Sequence, residues 1–452
     1  MEVFKYVKNF LTKGLLIALL VILTVLAIVP QQAYAEDALT IMAEAAILVD
    51  AESGKILYEK NAEAPLGVAS MTKMMTEYLL FEAIENGKVT WDQEYEVTDY
   101  TYKISQDMRL SNVPFREDGS YTIKEMYEAM AIFSANAATI GIAETIAGTE
   151  SKFVDLMNDK AKEMGLEETT FVNSTGLSNS SLMGMHPEGT KETDENIMPA
   201  RSVAKLTKRL LDDYPEVLET TKIPVKLFRE GTADETRMEN WNSMLPGLIY
   251  EYEGMDGLKT GSTDFAGYAF AGTAKRDDTR LIAVVMGAVD NKGAGSYKAR
   301  FDATRTLFDY GFGEFTTEEV IPAGYQFEGQ KTLAVEKGLE EKVAIAVKEP
   351  VKMMIRTADK ELYRPELLLD DSVVKNGKLE AGVEKDLVVG TLQLKKTDGT
   401  EYGYLSGSTE KVEIVTTEAV ERANWLSLSM RSTGEFLSSL WDDAGSFVRG
   451  LF

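Results

Sequence analysis

The 452-residue chain has no cysteine and one histidine, His186. With no thiol there is no disulfide, no cysteine-ligated zinc and no thiolate nucleophile. With one imidazole, a nucleophilic serine has a single histidine candidate for its base. His186-Pro187 lies in an irregular polar stretch running to Asn196, which favours an exposed loop histidine over a catalytic one. Basic residues are also scarce: 48 Lys and Arg stand against 73 Asp and Glu, a formal net charge of −25. That excess argues against a nucleic-acid partner and against simple adsorption to anionic lipid. The only long apolar run is at the start of the chain. Elsewhere, with 44% hydrophobic and 27% charged residues, the composition is that of a protein folding in water, too long for one core and suggesting two domains plus extras.

The two ends stand apart. Lys5, Lys8 and Lys13 precede the apolar stretch Gly14 to Val29, Pro30 closes it, and Ala33-Tyr34-Ala35 has the small-x-small form of a cleavage site. Residues 1–35 are therefore expected to be a secretory signal peptide. Over 416–452, Trp425, Phe436, Trp441 and Phe447 fall on one helical face, with Arg431, Glu435, Asp442 and Arg449 opposite. Charge recurs too often there for a bilayer span, so an amphipathic anchor lying on a membrane surface is expected; a helix docked on the protein's own domain is the alternative.

The stretch with most chemical meaning is Ala69-Ser70-Met71-Thr72-Lys73, followed by an apolar run. No Pro or Gly interrupts Met71 to Ile84, and its Met, Leu, Glu and Ala favour a helix with Ser70 at the first turn. Residues three apart on a helix are neighbours, about 5–6 Å between Cβ atoms, so the Ser70 hydroxyl and Lys73 amine share an edge. A helix N-terminus also offers unpaired N–H groups to a developing negative charge. Lysine serves as a base when burial or a cationic neighbour lowers its pKa, and a Ser–Lys pair is the most economical hydrolytic arrangement this composition permits. The pattern alone is weak, because Ser202-Val203-Ala204-Lys205 also fits it.

Along the chain, Ala46 to Asp50 and Lys55 to Tyr58 read as a hairpin about Ala51-Glu52-Ser53-Gly54. Thr122-Ile123-Lys124-Glu125 is a capping box opening a helix that delivers Ser134-Ala135-Asn136, with a further helix to Ala147. Lys152 to Met164 and Ala200 to Asp213 are helical, and Thr169 to Leu177 is a polar turn-rich loop. After Met255-Asp256-Gly257-Leu258-Lys259-Thr260-Gly261-Ser262 come two β-prone runs, Tyr268 to Ala274 and Leu281 to Ala288. They read as a core hairpin with Lys-Thr-Gly at the start of its first strand, where Gly261 would let a substrate backbone approach closely. Tyr297 to Phe308 is a helix ending near Gly311. The expected class is α/β with a mainly antiparallel sheet. From about Glu319 to Val415 short alternating runs and Lys- and Gly-rich turns predict a small all-β domain. The expected organisation is 1–35 signal, 36–318 catalytic domain, 319–415 β-rich stalk and 416–452 anchor.

Ser70-x-x-Lys73, Ser134-x-Asn136 and Lys259-Thr260-Gly261, in that order, are strong together though each is weak alone. The set resembles that of penicillin-binding proteins and serine β-lactamases. The chain is similar to the low-molecular-mass penicillin-binding proteins, the serine-type D-alanyl-D-alanine carboxypeptidases of Gram-positive rods, over nearly its whole length. The resemblance implies a β-lactamase/transpeptidase-like domain, an antiparallel sheet with helices on both sides, followed by the β domain and an amphipathic C-terminal helix. It implies that Ser70 attacks the carbonyl between two terminal D-alanines of a peptidoglycan stem peptide and Lys73 takes its proton. Ser134 and Lys259 relay that proton, and Asn136 holds the substrate amide. The N–H groups of Ser70 and Ser262 form an oxyanion hole, and Thr260 with Arg300 binds the terminal carboxylate. β-Lactams would be covalent inhibitors. No cofactor and no metal is expected. The enzyme would be exported and face the wall from the outer side of the cytoplasmic membrane. Gly184 to Met198 departs from the family in being longer and more acidic. Rival readings are a secreted serine β-lactamase, for which Glu167, Glu168, Glu188 or Glu192 could activate a deacylating water, a transpeptidase with an amine acceptor, and a non-catalytic penicillin-recognising wall protein.

Overall fold

The computed structural model describes residues 39–407 and 411–430. The expected signal peptide lies outside the described residues, as does all of the expected anchor beyond Met430.

Five antiparallel strands form the central sheet: β1 (Ala45–Asp50), β2 (Ile56–Lys60), β3 (Met255–Thr263), β4 (Gly267–Arg276) and β5 (Thr279–Met286). Their order is β2-β1-β5-β4-β3. The first hairpin is the expected one. Lys-Thr-Gly, however, does not open the later hairpin. It lies inside the separate strand β3, in register with β4 through Thr260 opposite Phe270 and Lys259 opposite Ala271. The run 255–263 is interrupted by glycines and polar residues, which hid its strand character. As the last strand in the order, β3 keeps one edge unpaired within the sheet.

Alternation decides what packs on each face. Ile47, Val49, Ile282 and Val284 point into the larger core. There they meet α1 (Lys73–Glu85), α2 (Ile123–Phe133), α3 (Asn136–Ala147), α4 (Glu150–Glu163) and α5 (Ala200–Asp213). The other face is covered by α6 (Tyr297–Glu314). Phe301 meets Phe270 edge-on with centroids 5.6 Å apart, and Gly311 lies against Leu48 and Leu281. Helices thus flank both faces, as expected. Helix α6 runs through Gly311 to Glu314, beyond its expected end, because Gly311 is the point of closest approach to the sheet and packing offsets its poor propensity.

Beyond α6 a second core forms around Val343, Ile345, Val389 and Ile414. Its strands are β6 (Phe315–Ile321), β7 (Thr332–Glu336), β8 (Lys342–Val347), β9 (Val351–Arg356), β10 (Tyr363–Leu369), β11 (Lys378–Glu380), β12 (Val388–Lys396) and β13 (Val412–Thr416). Six form a sheet of order β10-β12-β13-β8-β7-β11, and β6 pairs with β9. β6 begins at Phe315, ahead of the expected Glu319. Past Val415, Val420 is buried and bonded to Val383, and Ala423 N–H donates to the Lys337 carbonyl. The two cores touch at a turn: Leu405 N–H donates to Gly54, Ile56 N–H to Gly403, and the buried Lys55 ammonium reaches Tyr363 Oη and Glu401, each at 3.0 Å.

Candidate active site

Ser70 lies not in an α-helix but in a 3-10 turn, Ala69–Thr72, and α1 begins at Lys73. Ala69 has φ +46°, a left-handed conformation that costs a non-glycine residue about 1 kcal/mol or more. Ser134 caps α2 in the same region, at φ +60° and ψ +30°. The capping box of α2 forms as expected between Thr122 and Glu125. Left-handed backbone therefore falls on the residue before Ser70 and on Ser134 itself, which occurs where surrounding packing over-determines the conformation.

Lys73 is buried, and its Nζ lies 3.1 Å from Ser70 Oγ, 2.8 Å from Asn136 Oδ1 and 2.7 Å from the Thr175 carbonyl. A neutral amine has two hydrogens and one lone pair. The two full acceptors, Asn136 and Thr175, use the hydrogens and leave the lone pair for the Ser70 O–H. Burial, reinforced by the charge of Lys259, holds the ammonium form well below the usual lysine range, while Glu150 pulls weakly the other way.

The loop that supplies Thr175 was expected only to be polar. From Phe171 to Leu177 it is buried, and its polar groups are paired both within the loop and by residues outside it. Asn173 Oδ1 accepts from the backbone of Thr175 and Gly176 and from the Thr175 hydroxyl. Asn196 accepts from Val172 and Asn173 and donates to Thr72 Oγ1 and the Asn173 carbonyl. Glu150, buried at the start of α4, accepts from Ser174 N–H at 2.9 Å, Ser174 Oγ at 2.6 Å and Tyr100 Oη at 2.9 Å. None of Glu150, Asn196 and the Thr175 carbonyl was singled out from sequence. Glu150 looks like any acid in a helix's first turn, and its partners are distant in the chain.

Strand β3 closes the opposite wall. A Cβ on Gly261 would stand 2.6 Å from the Val68 carbonyl and 3.3 Å from Met71 N, so only glycine lets the strand lie against the Ser70 turn. Arg300, from α6, is buried between the rings of Tyr297 and Phe301 and donates to Ser262 Oγ at 3.0 Å and to the Gly261 carbonyl at 3.3 Å. Its Nε has no partner. Burial lowers Arg300 to about 10; burial with the charge of Arg300 lowers Lys259 to about 7.

These groups surround one cavity of about 400 Å³, lined by Ser70, Ser134, Asn136, Thr260, Ser262 and Arg300 among others. Lys73, Lys259 and Gly261 form the buried layer behind it. Sequence reasoning missed the aromatic side of the cavity, Phe133, Trp241 and Tyr297, which stack in series at 6.4 and 5.9 Å. Spread over 165 residues of chain, they had no shared pattern. No carboxylate lines the cavity. Glu167, Glu168, Glu188 and Glu192 are all exposed and absent from its lining, which removes the residues a β-lactamase-type deacylation would have used. His186 is half-buried rather than exposed, 3.0 Å from Thr190 Oγ1, and does not line the cavity. Ser202 and Lys205 of the second Ser-x-x-Lys donate instead to the Glu167 and Gly165 carbonyls.

Comparison with known proteins points to the same family over most of the chain. Residues 31–290 match the family described as D-alanyl-D-alanine carboxypeptidase, and residues 315–422 match the C-terminal domain of penicillin-binding protein 5. The chain is 30% identical over 398 residues to the D-alanyl-D-alanine carboxypeptidase DacF of Bacillus subtilis, covering 87% of this chain and 90% of that protein. Among solved structures it is similar to the peptidoglycan synthesis regulatory factor PBP3 of Streptococcus pneumoniae, with TM-score 0.67 and 35% identity over 84% of this chain and 99% of that one. It is also similar to penicillin-binding protein D2 of Listeria monocytogenes in its cefotaxime-bound form, with TM-score 0.50 and 30% identity over 60% and 98%.

Proposed function

The chain belongs to the D-alanyl-D-alanine carboxypeptidase family and is a serine-type D,D-carboxypeptidase; we propose that it removes the terminal D-alanine of peptidoglycan pentapeptide stems through an acyl-enzyme on Ser70. The observation that carries the assignment of the site is the surroundings of Lys73 Nζ. With two acceptors and one hydroxyl around it, the neutral amine takes the Ser70 proton as Oγ attacks the peptide carbonyl. The oxyanion that forms meets the N–H groups of Ser70 and Ser262, each worth about 3–4 kcal/mol at such a site. Ser134 and Lys259 pass the proton to the leaving D-alanine nitrogen, and Asn136 holds the substrate amide. Water then attacks the ester and frees Ser70.

A carboxypeptidase must recognise a free carboxylate. The cavity meets that need with Thr260, Ser262 and the buried guanidinium of Arg300, and with no acid in its lining to repel an anion. A β-lactam, which also carries a carboxylate beside a reactive carbonyl, acylates Ser70 and stalls there. Intact-mass spectrometry after benzylpenicillin, with the adduct mapped, tests this reading together with D-alanine release from a pentapeptide. A long-lived adduct on Ser70 and stoichiometric D-alanine are expected. Rapid penicillin turnover would favour a β-lactamase, and an adduct elsewhere would sink the assignment.

The proposed organisation is a signal peptide over 1–35, a peptidase domain over 36–318, a β-rich stalk over 319–415 and an anchor over 416–452, putting the enzyme on the outer face of the cytoplasmic membrane. Among the described residues no helix is long and apolar enough to cross a membrane. Attachment would instead lie on the face that begins with Trp425, Leu426 and Met430, all exposed. Since the chain stays bonded to the β core as far as Ala423, a stop after Asn424 is the clean test. Release into the medium supports the anchor, and retention in the membrane fraction counts against it.

A further inference from the structure

The reaction above fixes two groups of the residue that leaves. Its nitrogen takes a proton at Ser134, and its carboxylate is held by Thr260, Ser262 and Arg300. Between these anchors the cavity wall is a row of three rings that the reaction does not use. Phe133 directly precedes Ser134. Trp241 stacks on Phe133 at 6.4 Å and on Tyr297 at 5.9 Å, and the Arg300 guanidinium lies 5.0 Å from the centre of the Tyr297 ring. The row therefore runs from the proton donor to the carboxylate anchor, along the span of the terminal residue.

Trp241 is firmly supported in that row. It is flanked by Asn240 and Asn242, both buried. Asn240 Nδ2 donates to the Thr221 and Ile223 carbonyls, each at 3.0 Å, and Asn242 Nδ2 donates to the Gly257 carbonyl of β3 at 3.3 Å. The indole Nε1 donates to the Phe133 carbonyl at 3.1 Å, so the ring offers the cavity apolar surface and no free donor. That surface stays open: Phe133 and Trp241 are half-buried, and Tyr297 is exposed. Rigid, open apolar surface inside a polar site is where an apolar group of a ligand binds.

We propose that Trp241, with Phe133 and Tyr297, is a specificity wall for the side chain of the terminal residue, and that the enzyme releases larger apolar or aromatic D-residues as well as D-alanine; this rests on the D,D-carboxypeptidase reading of the site. With nitrogen and carboxylate both held, the side chain is the substituent left to meet the rings, because Lys73, Lys259 and Gly261 fill the layer behind the cavity. A methyl group covers a small part of three rings. A branched or aromatic side chain covers far more, and the contact strengthens with the apolar area removed from water. The chemistry is unchanged. The same amide bond breaks, the amine leaves with its larger side chain, and the acyl-enzyme on Ser70 is identical for every leaving residue. A difference in kcat/KM between leaving residues therefore arises at acylation.

The test is kcat/KM for release of the terminal residue from one acyl-D-alanyl peptide series ending in glycine, D-alanine, D-leucine or D-phenylalanine, with the full chain and with Trp241→Ala. The wild-type protein should cleave the D-leucine and D-phenylalanine peptides within about 30-fold of the D-alanine peptide, and a larger deficit would overturn the proposal. Trp241→Ala should lower the ratio of D-phenylalanine to glycine release about tenfold, whatever loss is common to the series. Trp241→Phe should lower it by only about threefold, since a ring remains. Equal losses at all four peptides, with the ratio unchanged, would leave Trp241 a support for its neighbours and refute the wall. If Trp241→Ala does not fold, Trp241→Phe reads the same ratio, and no change in it again refutes the proposal. A wild-type protein that releases no terminal residue from any of the four would refute the reading of the site itself, which is a different failure.

Discussion

Gly176→Ala is the sharpest probe of how the base is held. Gly176 has φ +80°, and a Cβ built on it would lie 1.8 Å from the Ala69 carbonyl oxygen and 2.8 Å from Thr72 Oγ1. Both neighbours belong to the turn that carries Ser70. Relief of that overlap requires the loop and the turn to part by about 1.5 Å, since ordinary contact begins at 3.4 Å. The Thr175 carbonyl, 2.7 Å from Lys73 Nζ, would move past hydrogen-bond reach. The left-handed backbone adds about 1–2 kcal/mol and the overpacking about 1–3, so the variant should be about 2–5 kcal/mol less stable. A misplacement of about 1 Å costs up to about 10²-fold in rate, and acylation by penicillin should fall on that scale. Gly184→Ala is the control: φ is +76° and nothing lies within 4 Å of its Cβ. It should lose only about 1–2 kcal/mol and acylate normally. Urea denaturation and acylation rates on both variants check this. Equal stability for the two, with normal acylation by Gly176→Ala, would refute the claim that loop 173–177 positions Lys73.

Lys73→Ala should fold, since it removes a costly buried amine, yet acylation should fall by at least about 10²–10⁴-fold, the range for loss of a general base; labelling at the normal rate would take Lys73 out of the reaction. Lys55→Ala removes the ammonium paired with Glu401 where the two cores meet and leaves that carboxylate only the weaker bond from Tyr363 Oη; about 2 kcal/mol should be lost from that contact, read as earlier proteolysis near 398–407 with acylation unchanged. Stability should also depend on pH through Glu77. Its folded value, about 7, lies above the ordinary 4.5, so its contribution is fully present below pH 4.5 and is lost as pH rises through 7. On the order of 1–3 kcal/mol should disappear between pH 5 and 8 in urea melts, and Glu77→Gln should flatten that decline.

What could be read from the chain follows from distance along it. Ser70 and Lys73 are three residues apart, so helical geometry alone brings them together, and the small error, a 3-10 turn in place of an α-helical one, leaves them 3.1 Å apart. The capping box at Thr122 and Glu125 is equally local, and so is the hairpin about residues 51–54. The three motifs could be assigned to one site only because their order matched a known family. Nothing local says that Lys259 lies behind Lys73.

The residues that were not legible are those whose partners lie far off. Lys73 finds one acceptor 63 residues away and another 102 away, and the second is a backbone carbonyl, which carries no residue identity at all. The Asn-Ser-Thr-Gly run at 173–176 has the composition of a solvent-exposed turn. It can be buried because Asn173, Asn196 and Glu150 supply the hydrogen bonds that water would otherwise provide. Glu77 makes the same point from the other side. In a helix of Met, Leu and Tyr it reads as the polar residue that faces water, yet it lies in the core against a tyrosine hydroxyl. An acid at that depth is a net cost unless it is hydrogen-bonded, and the partner that meets the cost, Tyr127, lies 50 residues further along the chain, so no local pattern could have announced it.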